Sequence, residues 1–144
     1  MIGELVVLAC SKSKIWDNGS LPGHAPVAAK DAYTGHVFRY GRQYAERNGF
    51  PFLILSAKYG LLAPDQKITA YNTKLSSCRA ATELRERFAD TLKELFSRHR
   101  RIFMFGGNQR YRMVFNGFSG AQFDYIRAKH QADLRRQAME LAEA

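Results

Sequence analysis

The sequence predicts one α/β domain over residues 1–144, built in three layers with a mostly parallel sheet flanked by helices. Two observations predict it. Three short apolar runs rich in branched and aromatic residues each end in a polar or glycine-rich cluster, and the stretches between them carry apolar residues at helical spacing. Continuous apolar runs suit strands covered on both faces, and their alternation with helices suits parallel strands joined by crossovers.

The first run, Leu5-Val6-Val7-Leu8-Ala9-Cys10, is closed by Ser11-Lys12-Ser13-Lys14. Residues 17–26, DNGSLPGHAP, form the one long Gly/Pro loop, a candidate lid or binding loop. Within Asp31-Ala32-Tyr33-Thr34-Gly35-His36, Thr34 is the expected N-cap of a helix carried by Val37, Phe38, Gly41, Tyr44 and Ala45, and Asn48-Gly49 stops it. The second run, Phe50 to Leu55, passes into Ser56-Ala57-Lys58-Tyr59-Gly60. A longer amphipathic helix follows through Ala81, Leu84, Phe88, Leu92, Leu95 and Phe96, with Ser76 or Ser77 as N-cap. The third run, Arg101 to Phe105, ends in Gly106-Gly107-Asn108; helical spacing resumes at Tyr111, Val114, Phe115 and Phe118, and the tail from about Ala121 reads as a terminal helix.

Composition narrows the class. At 144 residues, with 46% hydrophobic and 24% charged residues, the chain has the make-up of a globular domain. It has no run long enough to span a bilayer and no basic, cleavable start, so a cytoplasmic protein with no membrane partner is expected. Cys10 and Cys78 lie far apart without metal-type spacing, which argues against a disulfide framework; no metal and no cofactor are expected. Twenty-two Lys and Arg against 13 Asp and Glu give a net charge of +9, a field that favours polyanions. The expected partner is a nucleic acid, DNA ahead of RNA, or a nucleotide. Between Glu94 and Asp124 no acid occurs, while Arg98, Arg100, Arg101, Arg110 and Arg112 do, so these five are a candidate phosphate-contacting face, against the plainer reading of a solvated basic surface.

Ligands of open α/β sheets sit at the carboxyl edge of the strands, so the three strand-end clusters are expected to converge. In the first, Cys10 is either a small core residue or a thiolate favoured by Lys12 and Lys14, and Ser11 is a candidate anion-binding hydroxyl. In the second, Ser56, Tyr59, Asp65 and Tyr71 either form an ordinary strand-to-loop corner or offer a base an aromatic face and a hydrogen-bonding or basic carboxylate. In the third, Gly106, Gly107, Asn108 and Tyr111 let backbone approach a ligand closely, with Arg110 beside them. Tyr33 is placed with the substrate-binding set.

The combination of Cys10-Ser11-x-x-Lys14, Tyr33-Thr34-Gly35, Leu55-Ser56-Ala57-Lys58-Tyr59-Gly60-Leu61 with Pro64-Asp65 and Tyr71, and Gly106-Gly107 with Tyr111 resembles a small bacterial and phage domain-of-unknown-function family. The Ser56–Tyr71 block is also similar to the Tyr-Gly-Leu-Leu-x-Pro-x-Asp-x-Ile-x-x-Tyr block of the YaaA family, peroxide-stress proteins associated with DNA binding. Gln66 stands where that pattern has its Asp. More distantly, Cys10 and Lys14 fit the Pro-Cys-x-x-x-Lys-Pro-Tyr motif of archaeosine synthase, which joins lysine to a deazaguanine nitrile in transfer RNA. These resemblances imply an enzyme directed at a nucleic acid or nucleobase, acting by base modification or glycosidic-bond chemistry. A non-catalytic DNA- or RNA-binding protein and an enzyme of free nucleotides stand as alternatives. Lys14, Ser56, Tyr59 and Asp65 are the expected catalytic residues, with Lys14 countering charge and Asp65 as base; Cys10 is expected to shape the pocket.

Overall fold

In the computed structural model, which describes residues 2–18 and 25–144, the first apolar run becomes β1 (Ile2–Ala9), the middle strand of a five-stranded sheet. Val6, Val7 and Leu8 have no exposure at all, which only a strand covered on both faces and both edges allows. Its neighbours are β3 (Phe52–Ser56) and β6 (His99–Phe105), both parallel to it, with Val6 level with Phe52 on one side and Phe103 on the other. β4 (Gly60–Leu62) returns antiparallel on β3, and β7 (Gln122–Tyr125) extends the other edge parallel to β6, giving the order β4-β3-β1-β6-β7. Away from the sheet, β2 (Val27–Ala28) and β5 (Lys67–Ile68) form a two-stranded ribbon.

Alternate residues of the strands feed two separate cores. Val6, Leu8, Ile54, Phe103 and Phe105 face α1 (Ala29–Ala32), α2 (His36–Asn48) and α6 (Gln131–Glu143). Leu5, Val7, Leu55, Ile102 and Met104 face α3 (Cys78–Arg87), α4 (Ala89–Arg98) and α5 (Gln109–Met113). This is the expected three-layer α/β arrangement. The chain after β1 passes to α2 on one face, whereas the chain after β6 passes to α5 on the other, so a crevice opens between the carboxyl ends of β1 and β6, the topological switch point.

Several local expectations need correction. Gly35, not Thr34, is the N-cap of α2 and has no side chain to cap it, while the Gly35 amide donates to the Ser11 hydroxyl at 3.2 Å. The Gly49 stop and the Ser77 cap, whose hydroxyl accepts from the Ala80 amide, match the sequence reading. The helix expected as one element through Phe88 is two, because Phe88 leaves helical geometry and its ring fills the space beside Gly60. The helix after Gly107 ends at Met113, and the stretch expected to begin a terminal helix is β7, followed by α6. Of the Gly/Pro loop, residues 19–24 lie outside the described residues.

Candidate functional site

The β1 and β6 turns build the crevice. Ser11, Ser13 and Lys14 are knitted to the segment entering α2: the Thr34 amide donates to the Ser13 carbonyl at 3.0 Å, Lys14 bridges to Tyr33, and the Ser11 hydroxyl donates to the Ser13 carbonyl at 2.6 Å. A Cβ on Gly35 would stand 2.6 Å from that of Ser11, so only glycine allows this closeness. On the other wall Gly106 and Gly107 both adopt φ of +77°, a turn that L side chains resist, and a Cβ on Gly107 would meet Tyr111 and Met104 at 2.9 Å. Asn108 then caps α5, its side-chain oxygen accepting from the Arg110 and Tyr111 amides. Those amides are therefore spent on the cap rather than presented to an anion.

Two cavities meet here. One of about 570 Å³ runs from Cys10 and Ser11 past Gly106, Gly107 and Asn108 to His36 on α2 and Arg135 on α6. A smaller one of about 270 Å³ lies between Lys14, Lys74 and Arg110. Cys10, Ser11, Lys12, Asn108 and Tyr111 line both and form the wall they share. Among the described residues no carboxylate lines either cavity, although Lys12, Lys14, Lys74, Arg110 and Arg135 do. The larger groove, about 870 Å³ over α2, is a poorer candidate: its Arg42 is held by Asp31 and Glu46 at 3.0 and 2.9 Å, and its Arg47 donates to the Ala142 carbonyl.

Beneath the shared wall lies a relay of hydroxyls. Ser56 is fully buried; its oxygen accepts the Lys58 and Tyr59 amides and donates to the Tyr71 hydroxyl at 2.9 Å, which in turn lies 2.6 Å from that of Tyr33. Tyr59 packs edge-on to Tyr71, and its own hydroxyl pairs with Thr69 at 3.2 Å, which lowers its pKa. Lys14, only 9% exposed, holds its ammonium 4.8 Å above the Tyr71 ring and donates to the Lys12 carbonyl at 3.3 Å. The Cys10 sulfur is 3.8 Å from the Tyr111 hydroxyl. Burial pushes the Tyr33 and Tyr111 hydroxyls up to about 12 and raises that of Tyr71 as well.

Residues 5–138 match a family model described as a family of unknown function, DUF6884. The chain belongs to that family. It is also 34% identical over 122 residues to the uncharacterized protein YfjM of Bacillus subtilis (strain 168), a match covering 81% of this chain and 77% of that protein. No solved structure matches.

In this DUF6884 chain the strand-end clusters share one sheet edge, since Ala9 is level with Leu55 and Leu8 with Phe105, but they do not share one cavity. Cys10, Ser11, Lys14, Gly106, Gly107, Asn108 and Tyr111 line the crevice; Ser56, Tyr59 and Tyr71 stand behind it, and Tyr33 opens toward the groove over α2. Asp65 is a correction. It is 84% exposed and pairs with Lys30 at 2.9 Å, an interaction that lowers its pKa, and it neither meets Lys14 nor lines either cavity. The five-arginine face is a second correction: Arg98, Arg100 and Arg101 sit at the start of β6, and Arg110 and Arg112 beyond its far end. Arg98 pairs with Glu94, Arg101 with Glu4 and Asp124, and Arg112 lies over the Tyr125 ring. The sequence reading omits Lys74 and Arg135, which carry no motif, and gives His36 no role. Among the described residues no group of His, Cys, Asp and Glu is arranged to hold a metal, and no helix is long and apolar enough to cross a membrane.

Proposed function

We propose that this chain is an enzyme directed at a nucleic acid or nucleobase, working in the crevice between β1 and β6 by base modification or glycosidic-bond chemistry. The observation that carries the reading is the pair of cavities at the switch point, walled by glycines and a tyrosine and ringed by cations with no carboxylate among the described residues. The larger has room for a nucleoside. The resemblances to the YaaA family and to archaeosine synthase fall on Cys10 and Lys14, which line this site, and on the Ser56–Tyr71 block, of which Ser56, Tyr59 and Tyr71 stand behind it. With Asp65 outside, the titratable groups other than Lys and Arg that line the two cavities are Cys10, His36 and Tyr111. Cys10 is half-buried and lines both cavities, so it is the candidate nucleophile; His36 is the candidate proton carrier, and Lys14 counters developing negative charge.

Incubation of the protein with DNA or RNA, followed by digestion and nucleoside mass analysis, tests this. An altered or released base that is absent with Cys10→Ser and Lys14→Met is the expected result; tight binding with every nucleoside mass unchanged makes the chain a non-catalytic binder. One observation favours a free nucleotide as substrate instead: the arginines expected to form a phosphate track are divided between the two ends of β6. Turnover of a mononucleotide but not of an oligonucleotide selects that reading.

A further inference from the structure

Lys14 is the unusual group of this molecule. Its side chain is nine-tenths buried, and among the described residues its ammonium has one carbonyl partner, at a long 3.3 Å, and no carboxylate. Burial of a charge without a partner is costly, so such a lysine is kept where something else supplies the negative charge. It lines the smaller cavity, where Lys74 and Arg110 add two exposed cations and Asn72, Ser76 and Asn108 add neutral polar groups. At about 270 Å³ this cavity is about half the volume of the larger one, and Cys10, Ser11, Lys12, Asn108 and Tyr111 line both.

We propose that the smaller cavity is a phosphate subsite, built on Lys14, Lys74 and Arg110, that holds a phosphate ester of the substrate while the base lies in the larger cavity. Three cations approaching from the β1 turn, the segment before α3 and the start of α5 suit a tetrahedral oxyanion, which offers oxygens in several directions. The assignment rests on the nucleobase-directed reading above and adds to it where the charge of the substrate goes. The phosphate belongs either to a free nucleotide or to a nucleic-acid backbone.

Titration calorimetry of the whole chain with inorganic phosphate, nucleoside 5′-monophosphates, their parent nucleosides and a short oligonucleotide tests the assignment. A monophosphate is expected to bind at least ~10-fold tighter than its nucleoside, inorganic phosphate to compete with it, and that preference to vanish in Arg110→Ala and in Lys14→Met. Arg110 is exposed, so its variant reports even if Lys14→Met fails to fold. A salt slope near one, with the mononucleotide the equal of the oligonucleotide, identifies a free nucleotide; tighter, steeply salt-dependent oligonucleotide binding identifies the backbone, and both support the subsite. Nucleosides binding as tightly as monophosphates, or a phosphate preference that survives both variants, overturns the subsite alone. Absence of binding by every one of these probes overturns the nucleobase-directed reading with it.

Discussion

A buried ammonium above a phenol ring sets the residue-scale energetics of this site. Among the described residues Lys14 has a cation–π contact with Tyr71 and one long hydrogen bond but no carboxylate partner, so its charge serves binding more than stability. Lys14→Met, which keeps the apolar stem, is expected to unfold at equal or higher denaturant concentration, by up to about 1 kcal/mol, while losing phosphate binding. Equilibrium urea unfolding beside calorimetry reads both, and a clear loss of stability contradicts the assignment of cost. Tyr71 is the opposite case. Tyr71→Phe removes the group that links Ser56 to Tyr33, taking the acceptor of the Ser56 O–H and the partner of the Tyr33 hydroxyl, so a loss of about 1–3 kcal/mol is expected in the same experiment. The relay also fixes an alkaline limit. Tyr33 and Tyr111 ionise near 12 when folded but near 10 when unfolded, so the unfolded chain gives up its protons first as pH rises. Stability from these two groups is whole below pH 10 and is lost progressively between about 10 and 12, which denaturant melts at stepped pH with phenolate absorbance will follow; flat stability across that window excludes it.

At the scale of elements, the turn after β6 decides whether the crevice exists. Gly106 and Gly107 share a φ of +77°, yet a Cβ on Gly106 meets only ordinary neighbours at 3.6 and 3.7 Å, whereas one on Gly107 presses at 2.9 Å on Tyr111, a residue of the shared wall. Gly106→Ala is expected to cost about 1–2 kcal/mol from backbone strain alone. Gly107→Ala adds about 1–3 kcal/mol of overpacking and displaces Tyr111, so ligand binding falls with Gly107→Ala much more than with Gly106→Ala. Similar binding by the two variants argues against a formed turn. The same element shows what the sequence does and does not declare. The β1, β3 and β6 runs were legible because each is buried on both faces, and α2 because Gly49 ends it. β7 was not, since an edge strand of four residues with polar Gln122 and Asp124 has no apolar run to show. Nor was the break between α3 and α4, because Leu84, Phe88 and Leu92 keep helical spacing across it while Phe88 is claimed by Gly60, a neighbour distant in sequence. The site was legible where strand ends carry motifs, and illegible at Lys74 and Arg135, which only the packing of distant segments brings to the crevice.

For the whole molecule the question is where a net charge of +9 is felt. Five arginines are answered locally: Arg42 by Asp31 and Glu46, Arg79 by Glu83, Arg98 by Glu94, Arg101 by Glu4 and Asp124, and Arg136 by Asp133 and Glu140. At the crevice Lys12, Lys14, Lys74, Arg110 and Arg135 line two cavities with no carboxylate among the described residues, so part of the excess is felt on the face that also holds the switch point. Sequence proximity pointed to the β6 arginines because a gap in acidic residues along the chain says nothing of acids that folding brings alongside, as it brings Glu4 to Arg101 at 2.7 Å. The two ends of β6 therefore make opposite predictions. Arg98→Ala with Arg100→Ala is expected to leave oligonucleotide affinity within about twofold and the salt slope unchanged, since one of the pair is already neutralised and both lie at the amino end of the strand. Lys74→Ala with Arg110→Ala is expected to weaken binding by ~10²-fold or more and to flatten the slope of log K against log salt by roughly 0.7–0.9 for each phosphate no longer neutralised. Binding curves for both double variants across a salt series decide the matter: a steep loss with the Arg98 and Arg100 pair places the polyanion at the amino end of the sheet, away from the crevice.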